Sequence, residues 1–184
     1  APPWNKQPTR TFVRLRFSDR SKGHRAVTTT PLWTYASRPF DAAYNDDLPV
    51  HDVPIPADAK KVELVAIITG HGAATNQCAE FCDHQHAFTV GAETFTKSHP
   101  TIGDQSGCIA EHARGMTPNQ GGTWWFGRGG WCPGQQVDPW TVDVTHLATP
   151  GRPLHLEYRG LYDGETPPDG SGDVHVNVRL VVSR

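Results

Sequence analysis

Val174-His175-Val176-Asn177-Val178-Arg179-Leu180 alternates apolar and polar residues without a break. That period of two is what sets one face of a β-strand on a core and the other toward water. Leu154-His155-Leu156-Glu157-Tyr158 repeats the pattern, and Val62-Glu63-Leu64-Val65-Ala66-Ile67-Ile68 reads as a buried-strand run. Phe12 to Phe17, His86 to Val90 and Val137 to Val144 add further β-forming segments. Asp163-Gly164, Pro167-Pro168-Asp169-Gly170 and Gly121-Gly122 punctuate them as turns. No stretch sustains a 3.6-residue period between helix caps. Short strands between Gly/Pro turns predict an all-β protein, a single jelly-roll β-sandwich of about eight antiparallel strands. The segment from Gly91 to Gly122 is poor in strand pattern, and a loop of that length is usually functional or tied down.

The chain has 184 residues, which fits one domain over 1–184 with a core of its own. Its formal charge of -2 provides no basic stripe for nucleic acid. No apolar run approaches the roughly 18 residues of a membrane helix. Four cysteines in a Gly-, Pro- and Trp-rich chain point to an oxidising, extracytoplasmic setting, either secreted or periplasmic. The first residue is Ala1 rather than Met, which leaves room for a removed signal peptide. Pairing Cys78 with Cys82 and Cys108 with Cys132 is the most economical of the three possible schemes. A zinc site drawing on the four cysteines and ten histidines is the competing reading. Phosphate-binding glycine loops, His-Glu-x-x-His and Gly-x-Ser-x-Gly are all missing, which counts against nucleotide-dependent and serine-hydrolase chemistry.

Chemistry concentrates between Gly70 and Trp140. Glu80 sits between two cysteines in Cys78-Ala79-Glu80-Phe81-Cys82. If these are bridged, the carboxylate is aimed rather than mobile, ready to serve as an acid or a hydrogen-bond acceptor. As an exposed ligand contact it could be replaced by Gln with folding nearly unchanged; the bland alternative is a surface glutamate in a cross-linked turn. Arg128 and Trp131 precede Cys132, and they offer a planar fork of donors and a flat ring for a sugar. They serve equally well as a carbonyl-capping arginine and a tryptophan filling a sandwich edge. Of Trp124-Trp125-Phe126, at least one ring is expected in the core by strand alternation. His71, His84 and His86 form the alternative, a metal site, with copper recruiting Met116. Asp46, Asp47 and Asp52 read as a solvated turn.

Gly70-His71-Gly72, Cys78-Ala79-Glu80-Phe81-Cys82 with His86, Cys108, and Arg128 through Gly134 resemble the C-terminal domain of the peptide-N-glycosidase F family. The resemblance is strongest over 68–144 and weak before Pro49. It implies a jelly-roll domain with both of the economical disulfides. It also implies an N-linked glycan or glycoprotein as ligand, and a site at which Glu80, Arg128 and Trp131 line a cleft between two domains. In that family the essential acid/base carboxylate comes from an N-terminal domain with no counterpart here. Three expectations follow: a fragment, a second domain or chain that supplies the carboxylate, or a domain retained for glycan binding. If active, the chain would be an amidase of the peptide-N4-(N-acetyl-glucosaminyl)asparagine type, with Glu80 its candidate catalytic residue. The fold also resembles the copper-dependent peptidylglycine monooxygenases, although Thr69 stands where their second metal histidine would be. A structural or adhesion module is the third possibility.

Overall fold

The computed structural model describes residues 13, 15, 23–72, 75–118 and 122–184. Eight strands order along them: β1 Ala26–Pro39, β2 His51–Pro54, β3 Lys61–His71, β4 His84–Val90, β5 Glu93–Lys97, β6 Trp140–Asp143, β7 Pro153–Tyr162 and β8 Asp173–Ser183. Two four-residue helices, α1 Cys78–Phe81 and α2 Gly107–Ala110, sit in the connections.

The strands form two antiparallel sheets, in the orders β1-β8-β3-β6 and β2-β7-β4-β5. The pairs β1–β8, β2–β7, β3–β6 and β4–β5 are those of one long hairpin, running out through β4 and back from β5. Wrapping that hairpin adds the β3–β8 and β4–β7 pairs and closes a jelly roll. The expected all-β jelly-roll sandwich with two disulfides is therefore what the chain forms.

Alternation explains how the sheets meet. Val62, Leu64, Ala66 and Ile68 of β3 and Val174, Val176, Val178, Leu180 and Val182 of β8 are buried. They face Phe88 and Val90 of β4 and Leu154, Leu156 and Tyr158 of β7 in one apolar core. At the middle of that core stands Trp33 of β1, fully buried, with its indole N–H donating to the Pro49 carbonyl at 2.8 Å.

Several expectations are corrected. The Val137–Val144 strand is confined to Trp140–Asp143. β5 lies inside the segment read as strandless, because its five residues are all exposed or half-buried and leave no alternation to read. Trp124, Trp125 and Phe126 lie in a turn, all half-buried, so none of them is a strand residue of the core. The Phe12–Phe17 run falls largely outside the described residues. No helix among them is long and apolar enough to cross a membrane.

Candidate functional site

The site is built where β3 ends. Gly70 is the last inward residue of β3, and its N–H donates to the Gly129 carbonyl at 2.7 Å. The Gly129 N–H in turn donates to the Glu80 carbonyl at 2.8 Å, and the Ala79 N–H to the Ser171 carbonyl at 2.8 Å. A Cβ on Gly70 would lie 1.5 Å from the Ala79 carbonyl oxygen, so α1 can seat on the strand only at a glycine.

Both disulfides are formed, Cys78–Cys82 within the α1 turn and Cys108–Cys132 across the following loops. All four cysteines are used, and with them the zinc reading that needed thiolates. Cys108 and Cys132 pack with Met116 and Trp124 in a small second core. Met116 is thereby packed against the second disulfide.

Glu80 and Arg128 meet as an ion pair. Arg128 Nε donates to Glu80 Oε1 at 2.7 Å, and the Gly72 N–H donates to Glu80 Oε2 at 2.8 Å. Arg128 is fully buried and Glu80 is 7 % exposed. The remaining guanidinium donors turn to backbone: Nη2 to the Thr123 carbonyl at 2.8 Å, and Nη1 to the carbonyls of Trp124 and Phe126, each at 3.4 Å. Rings of Phe81 and Trp131 lie 5.4 and 4.8 Å from the guanidinium carbon. The structure thus brings Glu80, Arg128 and Trp131 together, with the charges turned into the protein and satisfied there.

Trp131 donates its indole N–H to the Gly70 carbonyl at 2.7 Å and stacks on His71 at 5.2 Å between ring centroids. His71 lies on the outward side of β3 with His175 at 4.3 Å. Burial and the neighbouring His175 push its pKa down to about 4. His84 and His86 occupy inward positions of β4, so His71 is not with them. Their neighbour is His99, which sequence reading missed; it follows β5 by two residues and is 3 % exposed. A histidine in a loop has no periodic signal, and only the β4–β5 pairing brings it beside the other two.

Beside the ion pair opens a pocket of about 350 Å³, lined by Asn76, Gln77, Phe81, Gly103, Gln105, Thr123 and Phe126. Phe81 and Phe126 meet edge to face at 6.2 Å. Thr123, which accepts from Arg128, and Phe81, which covers it, are common to pocket and ion pair. Sequence reading gave Phe81 no role of its own and did not name Gln105. A lone Phe and a lone Gln carry no chemical signature until the fold juxtaposes them.

Residues 40–181 match the family model described as Peptide-N-glycosidase F, C terminal. The peptide-N(4)-(N-acetyl-β-D-glucosaminyl)asparagine amidase F of Elizabethkingia miricola is 30% identical over 115 residues, which is 59% of this chain and 30% of that protein. A crystal structure of a peptide-N(4)-(N-acetyl-β-D-glucosaminyl)asparagine amidase superposes with a TM-score of 0.65 at 19% identity, over 84% of this chain and 51% of that one. The glycosylasparaginase of Flavobacterium meningosepticum gives 0.57 at 18% identity, over the same shares. The chain therefore spans about half the length of these solved relatives and 30% of the amidase F, and the likeness to the solved structures is one of fold. A family match over most of the sequence, on a jelly roll whose two disulfides frame a buried Glu80–Arg128 pair, places this chain in the peptide-N-glycosidase F C-terminal family.

Proposed function

We propose that this chain binds N-linked glycan in the pocket walled by Phe81 and Phe126, and that Glu80, Arg128 and Trp131 hold those walls in place. The pocket carries the reading. Two aromatic rings supply apolar faces for a sugar, and the side-chain amides of Gln77 and Gln105 have no partner among the described residues. Apolar walls with a few convergent polar groups are the usual makeup of a small-ligand site. Membership of the family supports an N-acetylglucosamine-containing ligand, the group named in the amidase relatives.

Binding, or assistance to a catalytic partner, fits the geometry better than independent hydrolysis. Amide cleavage needs an activated water and a protonated leaving group, hence a carboxylate free to exchange protons. Both Glu80 oxygens are occupied, and no carboxylate is among the described residues lining the pocket. A second domain or chain would supply that group. An extracytoplasmic location is supported by the two disulfides.

Calorimetric titration with chitobiose tests this. Saturable binding is expected, weakened about tenfold, or about 1.4 kcal/mol, in Phe126→Ala. Absence of binding at millimolar sugar would favour a structural or adhesion role instead.

A further inference from the structure

His84, His86 and His99 converge inside the sandwich, apart from the glycan pocket. Ring centroids are 5.0 Å apart for His84–His86, 4.8 Å for His84–His99 and 5.8 Å for His86–His99. One ring nitrogen from each lies within 4.8 Å of the other two. His84 and His86 are fully buried, at positions where β4 otherwise sends Phe88 and Val90. An apolar side chain there would cost nothing in desolvation, whereas three imidazoles must each place two ring nitrogens.

The outer nitrogen of His86 is accounted for. His86 Nδ1 lies 2.7 Å from the Tyr158 hydroxyl, which itself lies 2.6 Å from the Tyr44 hydroxyl. The hydroxyl pair lets Tyr158 accept from His86. His84 Nε2 is buried without a hydrogen-bond partner among the described residues, in the space that Gly70 and Gly129 leave open: a Cβ on either glycine would lie 2.9 or 2.4 Å from it. If each ring keeps its proton on that outer nitrogen, His84 Nδ1 and His86 Nε2 present lone pairs to one another at 3.0 Å. Two ligands of one tetrahedral ion, each about 2.0–2.1 Å from it, are separated by roughly 3.3 Å. His99 Nε2, buried and without a partner among the described residues, completes the set.

We propose that His84 Nδ1, His86 Nε2 and His99 Nε2 form a binding site for a late first-row transition-metal ion, Zn(II) or Cu(I). Neutral imidazole suits both, and no carboxylate or thiolate belongs to the cluster to attract a harder or softer ion. Tyr158 is the outer partner that fixes the tautomer of His86. Burial pushes the His84 pKa down to about 4 and the His99 pKa to about 2, so protons compete little for the lone pairs. Lys97, half-buried and opposite His86 in the β4–β5 ladder, is the nearby charge that opposes a cation. It opposes Cu(I) less than Zn(II). A tetrahedral ion holds its nitrogens roughly 3.3 Å apart, so donors spread over as much as 4.8 Å require His99 to swing inward by about 1.5 Å.

The test uses the full, tag-free chain, with Zn(II) or Cu(I) offered both to the folded protein and during refolding because the site is enclosed. One tightly held equivalent of one of the two metals is expected, with a melting temperature raised by several degrees. In His99→Gln, metal affinity should fall at least a hundredfold while circular dichroism stays β-rich. X-ray absorption of the wild type loaded with one equivalent should show three imidazole nitrogens, and that reading stands even if the variant fails to fold. No stoichiometric binding of either metal, undiminished affinity in His99→Gln, or fewer than three imidazole ligands would each overturn the proposal.

Discussion

Arg128 is the largest charged side chain buried among the described residues, and it is paired with the carboxylate of Glu80. Removing one partner of a buried pair leaves the other charge in a medium that solvates it poorly. Glu80→Gln should therefore lower stability by about 3–5 kcal/mol in denaturant unfolding, with much of the loss recovered by adding Arg128→Met. A loss below about 1 kcal/mol would show that water reaches the guanidinium. This reverses the expectation drawn from the sequence, in which Glu80 was an exposed acid dispensable for folding. The Cys-x-Glu-x-Cys pattern announces a constrained carboxylate, and that much was legible. Which way a four-residue turn points depends on Gly70, Gly129 and Arg128, distant in sequence and joined only by the fold.

Strands facing the core on one side are legible because burial and alternation are the same fact: β3, β4, β7 and β8 all coincide with runs read from the residues. β1 was not, although it pairs along most of β8, because its ladder is broken by three register shifts and carries Pro31 at a sheet edge. β2 and β5 are short edge strands with little to bury. The seat between β3 and α1 has its own prediction. Gly70→Ala puts a methyl group into the Ala79 carbonyl, which is backbone and cannot rotate away. The turn must move, and overpacking of this kind costs about 1–3 kcal/mol. A melt lowered accordingly, with weaker glycan binding alongside, is expected; an unchanged melt would mean that α1 is not seated as described.

Across the whole molecule, the jelly roll makes a rigid platform of two sheets, with α1 and the Arg128 segment gathered beyond the end of β3. Sandwich and jelly roll were legible from the count of alternating runs, and the two disulfides from cysteine spacing together with family resemblance. The histidine cluster was half legible: His84 and His86 share a face by strand period, while His71 was assigned to them in place of His99. Sequence distance offers no guide there, because His71 is on the outward side of a different sheet. The pocket was legible only as a neighbourhood, since its walls come from three separate loops. Its occupancy by N-glycan is the central claim, and amide chemical-shift mapping during titration with chitobiose tests it most directly. Perturbations concentrated at Gln77, Phe81, Gln105 and Phe126, saturating with the sugar, are the predicted result. A spectrum that does not change, or changes that cluster on a different face of the sandwich, would contradict it.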